Sequence, residues 1–494
     1  MLWPVLLAAA LTCIPYLVAW LFTPPGYLFS GFLLDSWDCE TYLFKIRLGE
    51  MGLWWQNWYS PRPGAPARLF WPYIALGKLG GLLGVPGIAM FHAGRLAADV
   101  LLALGLCVLA RELGITTWWV PLAGLFWCGS EVLAESPPVP EMRTGWAALT
   151  LPHFALSQAA ACWCLVFWLR ACRGQVKWAA AAAVACAVMG SVHPYMVVLP
   201  VGACAADAVW RIRVRLETWK GVALRWVAVA LGGVAGSGWA AWEILRHPWV
   251  REWLARSKTA PLDLLTLAVL VAVDVVLCTA GAREWLRSGR EDARVLVAAW
   301  LGLTGLLYAV PVVPGLEFRK RYLEGLAPVL GLFVPMGMAV AVKKSRAMAV
   351  LLVAAVLAGP VVCCARPLAL QTSDPVSYYP QELDAAFRWL SEAARGSLVL
   401  SDPVTSNRIP SRALCLTVVG HWAESPGFAE LAPVMAQFFS GEDRELQEAV
   451  LERYRPDYVL WRRDVFPEAG LEWLAGLVPV WEGRRVVVFA RRSG

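Results

Sequence analysis

Apolar runs long enough to cross a bilayer recur from the first residues to about Cys364 and then stop. A bilayer core is ~30 Å thick, so a crossing helix needs roughly 20 mainly apolar residues. On that criterion spans are expected at about 3–23, 89–110, 117–134, 148–170, 177–191, 195–210, 222–243, 262–281, 295–311, 324–342 and 347–364. Residues 69–86 are apolar but carry Lys78, several glycines and a proline near each end. They read either as a span or as an interfacial or re-entrant segment. After Pro367 the pattern changes. Leu398-Val399-Leu400, Leu416 to Val419, Tyr458-Val459-Leu460 and Val486 to Phe489 read as short strands, and 381–394 and 428–454 as helices. The expected fold is mainly α: a polytopic transmembrane helix bundle of about 11 spans over residues 1–366, with a first outer loop at 24–68. A soluble α/β domain over 367–494 follows it.

Composition sharpens this picture. Of 494 residues, 59% are hydrophobic and 16% charged, against about 25% charged in an average soluble domain. Disordered and wholly soluble chains are excluded. Residues 1–366 hold 31 basic and 20 acidic side chains, and 367–494 hold 13 and 17. The basic excess sits in short turns, and no basic cluster has the interleaved aromatics of a nucleic-acid site, so no nucleic-acid partner is expected. The 13 cysteines form no CxxC pair and show no Cys/His ligand spacing, so no zinc site is expected. Met1 to Thr23 lacks a basic n-region and reads as a retained first span.

Charge in the short turns also gives a threading. If 69–86 does not cross, Arg111, the Arg170–Lys177 turn, the Arg211–Arg225 turn, the Arg283–Arg294 turn and Lys343 all fall on the cytoplasmic side. Residues 24–68 and 367–494 are then both extracytoplasmic, on a multi-pass protein of the cell membrane. Two outer segments run against the bias: Arg246 to Lys258, and Arg319-Lys320-Arg321. The outer face collects Asp35, Asp38, Glu40, Glu141, His153, His193, His247, the 319–321 cations and Glu324. Intramembrane polar groups face a cavity or a partner, so a polar cavity at the outer span ends is expected.

Each polar cluster has a bland and a functional reading. Asp38, Thr41, Tyr42 and Lys45 have helical spacing, with Asp35 or Ser36 placed to cap. The segment is either a capped interfacial helix or the seat of a general base. Pro152 would kink a span beside His153, and Ser191 to Tyr195 divides two spans. A histidine at either place is a hydrogen-bonded structural residue or a substrate contact. Glu317/Arg321 and Lys320/Glu324 have the spacing of helical ion pairs, yet at least Arg319 is left over. Three adjacent cations suit a phosphate or pyrophosphate headgroup. Gly420-His421-Trp422 follows a strand, where loops often carry sites. No nucleotide-binding signature occurs, which disfavours a nucleotide-driven pump.

Taken in order, Asp38-Cys39-Glu40-Thr41-Tyr42-Leu43, Phe91-His92-Ala93-Gly94-Arg95, Pro140-Glu141, Pro152-His153-Phe154, His193-Pro194-Tyr195, His247-Pro248 with Trp253, Arg319 to Leu326, and Gly420 to Ser425 resemble bacterial membrane glycosyltransferases of the GT-C class. They look most like the branch related to the dolichyl-phosphate-mannose–protein mannosyltransferases. The family often has adjacent carboxylates before the Tyr-Leu pair. Here Trp37 precedes Asp38, and the nearest acidic partners are Asp35 and Glu40, which weakens the case for a divalent cation held by a paired-Asp site. The resemblance implies an inverting transfer of a sugar from a polyprenyl-phosphate carrier, with its lipid tail among the spans, to an acceptor hydroxyl. Asp38 is the implied base, with Glu40 and Asp35 as the neighbouring catalytic candidates. Arg319, Lys320, Arg321, Glu141, His153, His193 and His421 are the substrate-binding candidates. A lipid-linked-sugar flippase, or a non-catalytic membrane assembly protein, is the competing class. A flippase would more often show internal repeats and broken helices at the midplane.

Overall fold

The computed structural model describes residues 2–129, 139–257, 262–310, 319–343, 345–370, 376–466 and 476–491. Among them seven helices are long and apolar enough to cross a membrane: Gly87–Glu112, Pro152–Cys172, Pro194–Arg213, Trp219–Arg246, Leu265–Ser288, Glu291–Ala309 and Arg319–Val342. Shorter apolar helical stretches lie at Val5–Leu21, Trp178–Val192 and Val353–Ala365. The protein is a multi-pass membrane protein with a helical bundle and a small sheet. The expected span at 117–134 holds the six-residue helix Val120–Leu125, and residues 130–138 lie outside the described ones. The expected span at 3–23 is two helices, Leu2–Leu11 and Ile14–Leu21. The segment 69–86 forms the helix Trp71–Leu83 of 13 residues. At 1.5 Å per residue it is about 20 Å long, short of a bilayer core.

The chain folds into two compact units. One comprises residues 1–15, 92–244 and 258–365; the other comprises 16–91, 245–257 and 366–494. The second unit draws on three separate stretches of chain.

In the first unit the most enclosed helix is Pro152–Cys172, whose buried positions mix Ala, Cys, Ser and Gln with Leu165, Trp168 and Leu169. The helix Leu265–Ser288 instead turns Leu265, Val269, Val273 and Val276 outward. Large apolar side chains turned outward, with small residues where helices approach closely, are the pattern of a bundle whose solvent is lipid, where close packing rather than apolar burial holds helices together. The contact of Trp178–Val192 with Trp219–Arg246 shows it directly. A Cβ added at Gly232 or Gly236 would stand 2.1 Å from the carbonyl oxygen of Ala183 or Ala187.

In the second unit, β1 (Tyr27–Phe29) pairs antiparallel with β2 (Tyr378–Pro380). Residues 24–68 and the C-terminal segment therefore lie together. The remaining strands are β3 (Leu398–Leu400), β4 (Leu416–Thr417), β5 (Tyr458–Arg462), β6 (Leu477–Glu482) and β7 (Val486–Arg491). They form one sheet in the order β4-β3-β5-β7-β6. The two β3 pairings are parallel, and β5–β7 and β6–β7 are antiparallel. β6 is missing from the sequence-based expectation because Pro479 interrupts its pattern, and an edge strand tolerates proline. The expected helix at 428–454 is two helices, Phe428–Ser440 and Arg444–Tyr454. Gly441 ends the first at φ +74, and the Asp443 carboxylate accepts the Leu446 N–H to cap the second.

Candidate functional site

The helix Ser36–Glu50 carries the first candidate cluster. It forms as its spacing predicts, but it is longer. Asp35 takes a left-handed conformation at φ 48 and makes no capping hydrogen bond, so the expected side-chain cap is absent. Asp38 and Lys45 stand two turns apart on one face. On another face Glu40 is fully buried: its oxygens accept from Ser411 Oγ at 2.6 Å and from Arg412 Nη2 and Nε at 2.8 and 3.1 Å. Arg408 Nε lies 3.7 Å away. Arg408, Ser411 and Arg412 flank or occupy the π-helical turn Ile409–Ala413.

Asp38 meets His421. Asp38 Oδ1 is 2.7 Å from His421 Nε2, with the carboxylate side chain about 34% exposed and the imidazole 4%. The other ring nitrogen, Nδ1, accepts the backbone N–H groups of Ala423 at 3.3 Å and Glu424 at 3.4 Å. A neutral imidazole has one acceptor and one donor nitrogen. Because Nδ1 accepts, the proton belongs on Nε2, which donates to the Asp38 carboxylate. The ring cannot turn freely. Ser425 Oγ accepts the Gly420 and His421 N–H groups at 2.9 and 3.2 Å, and the Ser425 N–H donates to the His421 carbonyl at 2.8 Å. Gly420 is required: a Cβ there would stand 2.9 Å from the Ser406 carbonyl carbon and oxygen.

Lys45 anchors the far side of the same loop. Its Nζ lies 2.8 Å from Glu424 Oε1, with the two side chains 1% and 4% exposed. The rings of Phe70 and Tyr42 stand 4.4 and 4.7 Å from that ammonium, a cation–π enclosure. Asn57 Nδ2 donates to the Glu424 carbonyl at 2.7 Å, and Asn407 Nδ2 donates to the Trp37 carbonyl at 3.1 Å. The Tyr59 hydroxyl donates to the Asn407 carbonyl at 3.0 Å. Burial pushes the Tyr59 phenol well above its ordinary range, and the carboxylates of Glu424, Glu40 and Asp38 push it further, so it stays a neutral donor.

The first unit gathers the other candidates. Pro152 occupies the first helical position of Pro152–Cys172. It starts a helix rather than kinking one, as proline does where its missing N–H has no intrahelical partner. His153 is therefore in the first turn. His193 closes Trp178–Val192, and its Nδ1 is 2.7 Å from Glu324 Oε2, both residues buried. The His153 ring meets His193 edge-on at 5.2 Å, and Tyr195 stacks on His193 at 5.4 Å. Residues Arg319–Leu326 form a 3₁₀ helix, whose side chains repeat every three residues. Arg321 and Glu324 thus share a face. Arg321 Nη1 reaches Glu141 Oε1 at 2.8 Å, and Trp300 Nε1 fixes the turn on the Gly325 carbonyl at 2.6 Å. Glu141, Trp300 and His193 all reach this turn from far along the chain. Glu317, one half of an expected i,i+4 pair, lies outside the described residues.

Sequence reasoning overlooked Lys45 as an ion-pair partner, Glu424 and Arg412. It also passed over three buried acids of the first unit. Asp99 bonds Arg95 and Thr12 at 3.2 and 3.1 Å; Asp207 bonds Arg211 and Trp168 at 2.7 and 2.8 Å; Asp274 bonds Arg143 and Trp127, each at 2.6 Å. An isolated acid inside an apolar run was the available signal. The acids beside Asp38 do not fit a paired-carboxylate metal site, because Glu40 is committed to Ser411 and the arginines. Among the described residues no three His, Cys, Asp or Glu side chains converge as metal ligands.

No protein-family model and no curated protein sequence matches the chain. Solved structures do. The mycobacterial arabinofuranosyltransferase AftD is similar at a TM-score of 0.56 and 18% identity, over 98% of this chain and 41% of AftD. The chain thus spans about two fifths of that protein. ArnT from Cupriavidus metallidurans, bound to undecaprenyl phosphate, is similar at 0.53 and 13% identity, over 98% of this chain and 97% of ArnT. The archaeal oligosaccharyltransferase AglB from Archaeoglobus fulgidus, in complex with an inhibitory peptide and dolichol-phosphate, is similar at 0.54 and 11%, over 93% of this chain and 70% of AglB. The chain has the fold of the GT-C membrane glycosyltransferases.

Proposed function

We propose that this chain transfers a sugar from a polyprenyl-phosphate carrier to an acceptor hydroxyl on the extracytoplasmic side of the cell membrane. The observation that carries this reading is the Asp38–His421 pair: an accessible carboxylate held at 2.7 Å by an imidazole whose own orientation is fixed. In a chain of this fold, that is the equipment of a general base.

Asp38 takes the acceptor proton as the acceptor oxygen attacks the anomeric carbon. The bond from that carbon to the phosphate oxygen breaks, and the carrier phosphate leaves with the electron pair. Attack opposite the leaving group inverts the sugar carbon. An aspartate is ionised near neutral pH and needs only hydrogen-bond reach to the hydroxyl. His421 keeps the carboxylate oriented and acts as a positioning residue. Glu40 fastens the Asp38 helix to Arg412 and Ser411, and Asp35 sets the start of that helix. Arg319, Lys320 and Arg321 carry positive charge for the phosphate, which gains charge as it leaves. Glu141 steadies Arg321, and Glu324, His193 and His153 supply polar contacts for sugar hydroxyls.

The test uses membranes holding the wild-type chain or Asp38→Asn, supplied with a panel of radiolabelled undecaprenyl-phosphate sugars. Release of undecaprenyl phosphate by the wild type and not by Asp38→Asn supports the reading. Equal release by both removes Asp38 from the chemistry. Carrier binding without turnover by either, across the panel, favours a flippase.

A further inference from the structure

The bundle has a second polar site, at the end of the first unit away from His193. The helix Pro152–Cys172 has His153 at one end and Arg170 at the other. The 17-residue separation is about 26 Å at the α-helical rise. Arg170 Nε bonds Glu112 at 2.8 Å, which puts the C-terminal end of Gly87–Glu112 at that far end too. There a cleft of about 740 Å³ opens between Leu2–Leu11, the end of Gly87–Glu112, the connector after it and the turn at Arg290. That volume is in the range of small-ligand sites.

Its lining is divided. Val5, Cys107, Pro121 and Leu122 make an apolar floor, and Arg111 and Arg290 bring two cations to it. Thr116 and Thr117 add hydroxyl groups, and Trp118 stands at the rim, 71% exposed. The shape of the connector is fixed. Gly114 takes φ +79, the Gly114 N–H donates to the Arg111 carbonyl at 3.1 Å, and the Ile115 N–H donates to the Ala110 carbonyl at 2.8 Å. The Arg290 N–H donates to the Leu113 carbonyl at 3.2 Å, which ties the second cation to the same turn.

Several neighbouring cations are paired with carboxylates. Arg170 and Arg173 share Glu112, Arg173 also holds Asp292, Arg211 holds Asp207, and Arg225 holds Glu217. Among the described residues neither Arg111 nor Arg290 forms a salt bridge; Arg290 stands only in the longer-range field of Asp292, whose carboxylate is bonded to Arg173. Two cations without a salt bridge lining an otherwise largely apolar cleft, beside an exposed tryptophan at a bundle end, match a lipid with a phosphate in its headgroup. The phosphate would meet the arginines and threonines, and the first methylenes would lie on the apolar floor.

We propose that this cleft binds the headgroup of an anionic membrane phospholipid, at a site separate from the cations of residues 319–321. The site does not depend on the sugar-transfer reading. The full-length protein, purified in detergent, is equilibrated with phosphatidylglycerol or phosphatidylcholine, and retained lipid is titrated by native mass spectrometry. Phosphatidylglycerol should bind more tightly. Arg111→Ala and Arg290→Ala should each weaken it about fivefold, the effect of one basic residue near a lipid phosphate. Arg111→Lys should keep most of the binding. Leu122→Trp, which fills the cleft and leaves both arginines in place, should abolish it. Arg287→Ala removes an exposed cation outside the cleft at the same end and should leave binding unchanged. Size-exclusion profiles establish that each variant is folded. Equal losses in Arg287→Ala and Arg111→Ala would reduce the effect to general surface charge and overturn the proposal. Unchanged binding in Leu122→Trp would overturn it as well. Displacement of the lipid by an equal concentration of inorganic phosphate would make the cleft a soluble-anion site instead.

Discussion

The ammonium of Lys45 and the carboxylate of Glu424 meet at 2.8 Å, 379 residues apart in the chain and almost wholly out of water. The contact fixes the loop 420–425 on the helix Ser36–Glu50 two turns from Asp38. A buried pair contributes less to net stability than to uniqueness of geometry, but removing one partner leaves the other charge stranded. Lys45→Met should therefore destabilise the protein by about 3–5 kcal/mol. The double variant Lys45→Met/Glu424→Leu should recover much of that loss. Thermal unfolding in detergent measures both, and equal stability of Lys45→Met and wild type would make the pair energetically idle.

Asp38→Asn preserves shape and removes basicity. If Asp38 is the base, turnover should fall about 10²–10⁴-fold, while undecaprenyl-phosphate binding and thermal stability stay close to wild type. Glu40→Gln should behave differently. It leaves Arg412 and Arg408 without their carboxylate, so its loss of activity should come with a loss of stability.

His421 acts on the reaction through Asp38, so its variants separate positioning from packing. His421→Gln retains an N–H donor at a reach similar to Nε2, and His421→Phe retains only the ring volume. The expected order of kcat is wild type, then Gln, then Phe, with KM for the lipid donor nearly constant. Equal kcat in the Gln and Phe variants would leave His421 as packing alone.

Charge at residues 319–321 should govern carrier affinity. Arg319→Ala and Lys320→Ala should each weaken undecaprenyl-phosphate binding about tenfold or more, the worth of a charge-assisted hydrogen bond. Arg321→Ala should cost more, because it also strands the buried Glu141 carboxylate. Lys343→Ala serves as the comparison, and an equal effect there would mean that only net charge matters.

Residues 24–68 and the C-terminal segment lie together in one unit. Single cysteines at Ser60 and Ser440, in a cysteine-depleted background, should therefore react alike with an impermeant reagent in intact cells. Labelling of both supports the extracytoplasmic assignment. Protection of both, with labelling after lysis, would place the unit inside.

The apolar periodicity alone determined much of the architecture. It marked the long apolar helices, though not the short Val120–Leu125 or the break within the first stretch, and it marked the change of character after residue 366 and the helical face shared by Asp38 and Lys45, because hydrophobic length and helical spacing are local properties. The turn at His193 was likewise legible, since Ser191-Val192-His193-Pro194 breaks an apolar run. The pairings were not. Asp38 could be marked as a candidate base, but nothing within 20 residues names His421 as its partner, 383 positions away. Glu40 looked like a second catalytic acid until the chain's return brought Arg412 and Ser411 onto it. Arg321 had an obvious helical neighbour in sequence, but nothing local named Glu141, 180 positions away, which a distant turn packs against it. Spacing sets which side chains share a face. Only the folded chain decides which charge arrives opposite, because the low-dielectric interior makes an unmatched charge costly, and that cost is met by whichever segment packs there.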